Sequence, residues 1–226
     1  MKSLCIIPAR GGSKRIPRKN IIDFCGKPLM AYSIENALNS GIFEEVVVSS
    51  DDEEILQVAE AFGARALMRE KELSDDFSSS SKVIKSVSEK IGAGYENICC
   101  LYATAPLLNA KLLKEAYEEF IKGDFSFLFG AVEFDYPIQR AFYLKGKRVY
   151  MFDESQYFVR SQDLEKAYHD AGAFYFGKKE AWLKEEMIFT PNSSVYLLPR
   201  NLVCDIDTPQ DLEFAKKLFM LNKALM

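Results

Sequence analysis

The sequence predicts an α/β domain with an open, mostly parallel, Rossmann-like sheet flanked by helices and carrying one small inserted arm. Three observations lead there. Short apolar runs alternate with stretches of helical periodicity, the pattern of strands joined by crossover helices. A length of 226 residues, 48% of them hydrophobic, suffices for one sizeable core and is cramped for two, so residues 1–226 are read as a single domain. The alternation breaks once, between 135 and 171.

Along the chain, SLCIIPA (3–9) is the first strand-like run, followed after a basic loop by a helix in PLMAYSIENALNSG. Pro28 suits its first turn, Met30, Ile34, Ala37 and Leu38 share one face, and Gly41 closes it. EVVVSS (45–50) reads as a strand, and Ser50 with Glu53 forms a capping box for the helix in DDEEILQVAEAFG. RALM (65–68) is a short strand; the serines 78–81 form a capping, ligand-facing loop before an amphipathic helix carrying Val83, Ile84 and Val87. NICCLYA (97–103) and FSFLFGAVEF (125–134) are strands, and between them AKLLKEAYEEFIKG sets Leu112, Leu113, Ala116, Tyr117, Phe120 and Ile121 against a charged face. Residues 135–165 carry aromatic segments and a Lys145-Gly146-Lys147 turn, read as an inserted hairpin arm. Thr208-Pro209-Gln210-Asp211 starts the last helix.

Composition removes several functions. A net charge of -4 gives no footprint for nucleic acid. No apolar run approaches a membrane span or a signal-peptide core, so no membrane partner and a cytoplasmic location are expected. Five scattered cysteines read as reduced and structural, and a single His169 excludes multi-histidine metal sites. Chemistry must come from carboxylates, lysines, arginines and backbone.

The most informative segment is IIPARGGSKRIPRKN (6–20), directly after the first strand, where open α/β sheets bind ligands. Gly11 and Gly12 allow close approach of a triphosphate to backbone donors, while Arg10, Lys14, Arg15, Arg18 and Lys19 oppose phosphate repulsion. It has neither the Walker A spacing nor the dinucleotide glycine pattern. Asp205 and Asp207, two apart and read as lying on a strand, would share a face and repel unless a cation relieves them, which suits a hard ion such as Mg2+ or another divalent cation.

PARGGSKRIPRKN resembles the signature of the nonulosonate cytidylyltransferases, the family that includes CMP-sialic acid synthetases, and the likeness runs the length of the chain. ALMREKELSDD resembles the family's second motif and contributes Arg69, with Ser79 and Ser80 beyond it; LYATAPL stands where relatives carry LQPTSPL; RSQDLEKAYHDAGAFYFG aligns with an R-x-Q segment followed by NGAIY; and CDIDTPQDL matches the acidic metal-binding ending.

The resemblance implies a nucleotidyltransferase-type fold and attack of an anomeric hydroxyl on the α-phosphorus of CTP. Arg10, Lys14, Lys19 and Asp207 are the implied catalytic residues, with Asp205 and Asp207 the metal ligands. Ala9, Arg10, Gly11, Gly12, Ser13, Asn20, Arg69, Ser79 and Ser80 would bind the nucleotide, Asn20 and the backbone at Ala9 selecting cytosine. Tyr102, Arg160, Gln162, Asp170 and Tyr175 would meet the sugar, a nonulosonic acid. Relatives exchange such an arm, so a homodimer is expected.

Tyr102, Ala105, Leu108 and Ala171 replace more polar residues of the sialic acid pattern, which favours a deoxygenated sugar. The 9-deoxy, di-N-acylated pseudaminic acid is the expected acceptor, with legionaminic and sialic acids as alternatives. A catalytically silent nucleotide sensor is the rival of another class; retention of both aspartates argues against it.

Overall fold

The computed structural model describes residues 1–75 and 78–224; Asp76, the last residue of ALMREKELSDD, lies outside them. The chain runs β1 (Ser3–Pro8), β2 (Asp23–Phe24), β3 (Lys27–Pro28), α1 (Leu29–Ser40), β4 (Glu45–Ser50), α2 (Glu53–Ala61), β5 (Arg65–Met68), α3 (Ser80–Ile91), β6 (Asn97–Leu101) and α4 (Ala110–Lys122). It continues through β7 (Phe127–Glu133), β8 (Phe142–Lys145), β9 (Arg148–Met151), β10 (Tyr168–Lys178), α5 (Lys179–Leu183), β11 (Ser193–Leu197) and α6 (Pro209–Ala224). Seven strands form one sheet in the order β11-β7-β10-β6-β1-β4-β5. All neighbours are parallel except β10, which runs antiparallel to both β6 and β7.

Alternation along β1 explains the two-sided core. Cys5, Ile7 and Ala9 pack with Met30, Ile34, Leu113 and Phe120 from α1 and α4 on one face. Leu4 and Ile6 pack with Val83, Ile84 and Trp182 from α3 and α5 on the other. Two helix faces are narrower than expected, since Leu38 and Ile121 are exposed. Gly41 ends α1 in the left-handed conformation a helix stop commonly takes.

The cap of α2 differs from expectation. Ser50 is still in β4 and its Oγ accepts from the Asp52 N–H, while Asp52, in extended backbone, caps the helix by accepting from the Ile55 N–H at 3.1 Å. At α6, Thr208 and Asp211 form a reciprocal box: the Asp211 N–H donates to Thr208 Oγ1 at 3.3 Å, and Asp211 Oδ2 accepts from the Thr208 N–H at 2.7 Å and from the Asp207 N–H at 3.2 Å.

The segment read as irregular up to 171 already enters β10 at Tyr168. Its pairing slips between Asp170 and Tyr175, where Gly172 has φ 58°, so a bulge hides the strand's alternation. Between β7 and β10 the chain leaves the main sheet to form the β8–β9 hairpin, whose ends meet through a Phe152 N–H donation to the Ala141 carbonyl at 3.2 Å. Among the described residues, no helix is long and apolar enough to cross a membrane.

Candidate active site

The chain moves outward from β1 through β4 to β5, then returns to place β6 on the other side of β1. Such a reversal opens a crevice beyond the carboxyl ends of the strands. A cavity of about 520 Å3 lies there, lined by Arg10, Ser13, Lys14, Arg15, Lys19 and Asn20 after β1, Arg69 after β5, Ser78 and Ser80 at α3, Tyr102 to Thr104 after β6, and Asp207. Its size suits a nucleotide-scale ligand.

A third apolar cluster closes the site. Ile16 of the basic loop and Ile206 of the acidic segment are both buried with Phe24, Leu29 and Leu212. Residues 203–207 carry no regular secondary structure and pair with no strand, so the aspartates are not on a strand as expected; Ile206 is buried between its more exposed neighbours Asp205 and Asp207. Lys19 Nζ thereby donates to the Ile206 carbonyl at 2.7 Å and approaches Asp207 at 3.4 Å, while Arg15 reaches Asp207 at 2.8 Å. Burial, and then the charge of Asp207, raise the Asp205 carboxyl above its ordinary pKa, with Asp170 adding to the rise and Lys19 opposing it.

A divalent cation at Asp205 would offset both its burial and the neighbouring charge of Asp207, which Lys19 and Arg15 already meet. Among the described residues, no group of three or more His, Cys, Asp or Glu is placed to cage a metal. Asp205 and Asp207 therefore fit an ion such as Mg2+ completed by substrate phosphate oxygens rather than by protein alone.

The glycines do different work from each other. A Cβ on Gly11 would stand 2.9 Å from the Asp52 side chain, whereas one on Gly12 would meet nothing within 4 Å. The Gly11 N–H is also taken, donating to Asp51 at 2.9 Å, so it does not offer the free phosphate donor expected from sequence. Gly11→Ala should lower the melting temperature by several degrees, because about 1–3 kcal/mol of overpacking converts to roughly 2–4 °C per kcal/mol in a chain this size. Gly12→Ala should melt like wild type, and weakened CTP binding there, measured by calorimetry, would report ligand approach alone.

Other candidates separate into wall and support. Asn20 faces the cavity with its amide donating to the Arg10 carbonyl at 2.9 Å. Arg69 is buried, donates to the Ser49 carbonyl at 2.5 Å, and has its pKa lowered by that burial. Ala9 is fully buried with its N–H donated to Ser49, and Ser79 caps α3; neither lines the cavity.

Of the residues expected at the sugar, Tyr102 is on the cavity wall while Asp170 and Tyr175 are not: Ser80 donates to the Tyr102 hydroxyl at 3.4 Å, the Tyr102 and Tyr175 rings lie 5.5 Å apart, and the Tyr175 hydroxyl donates to Asp170. Burial raises the Tyr175 phenol pKa, which keeps it a donor. Ala105, Leu108 and Ala171 are buried and line a narrower cleft beside Gly172 instead of the main cavity. Arg160 and Gln162 are exposed on the arm side, Arg160 pairing with Asp163 at 2.6 Å, and they are not on the cavity wall. Ser78, from the serine loop expected to face the ligand, is on the cavity wall, whereas Thr104 on that wall was not singled out from sequence; nor was the Asp51-Asp52 pair, which lies off the wall and was detectable as SSDD at the carboxyl end of the strand beside β1.

A crevice walled by cations, with Asp207 on its wall and Asp205 two residues away off it, set on this sheet, defines a nucleotidyltransferase-type site. The chain belongs to the cytidylyltransferase family, whose model matches residues 4–226. It is 67% identical to the pseudaminic acid cytidylyltransferase of Campylobacter jejuni subsp. jejuni serotype O:2, over 98% of each chain. The N-acylneuraminate cytidylyltransferase of Streptococcus agalactiae serotype III is 32% identical, covering 93% of this chain and 52% of that one. A solved CMP:2-keto-3-deoxy-manno-octonic acid synthetase complexed with CTP superposes with a TM-score of 0.75 at 18% identity, over 98% of this chain and 100% of that one, and shares the fold.

Proposed function

We propose that this protein transfers CMP from CTP to the anomeric hydroxyl of pseudaminic acid, releasing pyrophosphate. The observation that carries the reading is the 67% identity, sustained over 98% of both chains, to an enzyme named pseudaminic acid cytidylyltransferase. The cavity and its charges support it.

In the reaction the anomeric oxygen bonds to the α-phosphorus as the bond from that phosphorus to the pyrophosphate oxygen breaks, and the proton of the hydroxyl passes to solvent. Arg10, Lys14 and Lys19, on one wall, neutralise the triphosphate and the charge that departs with pyrophosphate. Ser13, Asn20, Arg69 and Ser80 seat the nucleotide, with Asn20 bracing the loop at Arg10. Asp205 and Asp207 would hold a divalent cation, which when bound would supply Lewis-acid stabilisation of the α-phosphate. Tyr102 presents its hydroxyl to the sugar, oriented by Ser80 and by the Tyr175–Asp170 pair behind it. The reaction takes place in the cytoplasm. Pyrophosphate release is the test: CTP should far outpace UTP, ATP and GTP, chelation should abolish turnover, and pseudaminic acid should outpace legionaminic and sialic acids. Equal use of UTP would overturn the cytosine-selecting site; preference for sialic acid would overturn the sugar assignment.

The protein acts as a homodimer joined through residues 135–165. Tyr136, Phe142, Phe152, Tyr157 and Phe158 are each more than half exposed there, an apolar load that water disfavours on a lone subunit. Because Phe134 and Ala167 are hydrogen-bonded neighbours at 3.0 Å, a tight turn can replace 135–165 without disturbing the sheet. The excised protein should sediment as a monomer, still bind CTP, and transfer little CMP to sugar. A fully active wild-type monomer at micromolar concentration would overturn this reading.

A further inference from the structure

We infer that Asp52 is a positioning residue for the nucleotide loop, bracing it at both ends so that the residues between face the cavity. The inference rests on the CTP reading of that cavity and extends it to the side chain that caps α2, two residues beyond β4. Asp52 is absent from the cavity wall, as are Arg18 and Glu54, so any effect on the ligand must pass through the loop.

At the loop's start, the Asp52 side chain packs so closely on Gly11 that no Cβ fits between them. At its end, both oxygens of Asp52 accept from the Arg18 guanidinium, the second bond being 3.2 Å long, and Glu54 accepts from the same group. Arg18 needs that hold. Its backbone is left-handed, φ 57° and ψ 30°, a conformation disfavoured for a residue with a Cβ. It immediately precedes the short helical turn Lys19–Ile21, so its backbone sets the direction in which Lys19 and Asn20 leave the loop.

Between the two braced ends lie Ser13, Lys14 and Arg15, all on the cavity wall. The Arg18 guanidinium holds the Asp52 carboxyl below the usual carboxylate range, so the clamp stays ionised at neutral pH. Asp52 also caps α2, and the two roles are separable. Asparagine caps a helix about as well as aspartate, but it carries no charge to hold a guanidinium.

The test is calorimetric CTP binding and steady-state kinetics on the wild type, Asp52→Asn, Asp52→Ala, Arg18→Ala and the double variant Asp52→Asn/Arg18→Ala. Asp52→Asn and Arg18→Ala should each weaken CTP binding and raise its KM roughly tenfold, with kcat changed much less and melting near wild type for Asp52→Asn. The double variant should be no worse than the poorer single one, since one clamp is lost once. Asp52→Ala should melt lower without a further rise in KM. Wild-type CTP affinity in both Asp52→Asn and Arg18→Ala, or a fall in melting temperature as the sole effect, would overturn the clamp. Failure of the wild type to bind CTP would instead overturn the reading of the cavity.

Discussion

Asp207→Asn should lower CMP transfer by at least about a hundredfold while the protein folds and melts close to wild type. Asparagine keeps the size of the side chain and one acceptor for Lys19 and Arg15, which now meet the carboxylate at 3.4 and 2.8 Å, but it removes a charge that would help Asp205 and Asp207 hold a divalent cation. The backbone there is held independently of that charge, by the Asp207 N–H donating to Asp211 and by the burial of Ile206. Pyrophosphate release over a range of Mg2+ concentrations checks this. The curve should shift to higher metal as well as lower plateau, and near-normal turnover with unchanged metal dependence would show that the ion sits elsewhere.

Lys19→Ala should be the next most damaging change, reducing kcat/KM by roughly a hundredfold and exceeding the loss in Lys14→Ala. Both residues line the cavity, but Lys14 is exposed whereas Lys19 is half-buried. Lys19 is oriented by the Ile206 carbonyl at 2.7 Å, so it is presented in one geometry beside Asp207. Deleting it also leaves the Asp207 carboxylate with one fewer cation in a partly desolvated corner. Parallel kinetics on the two variants decide the order, and a larger loss in Lys14→Ala would move the main phosphate contact to that residue.

Some of this architecture was legible in local pattern because local physics produces it. The apolar run of β1, the apolar stripe of α4 and the Thr208 to Asp211 start of α6 each depend on residues a few positions apart, and the structure contains all three. The cap of α2 was misread by two residues because Ser50 and Asp52 are both good acceptors, and the end of β4 decides which is free to act. The strand at 168–178 was lost at its start for a similar reason: its bulge at Gly172 breaks the alternation that identifies a strand.

What the sequence determined by itself was the alternating α/β pattern, the concentration of cations after β1 and the presence of an acidic pair near the end. Only the tertiary structure decided how those cations divide: Lys19 turns to a carbonyl 187 residues away, Arg15 to Asp207, and Arg18 to Asp52, 34 residues on. A formal charge is carried by each residue wherever it lies, but its partner is chosen by which backbones the sheet order and the buried Ile16–Ile206 cluster bring together. That choice is a property of packing between distant segments, which no local period in the chain encodes.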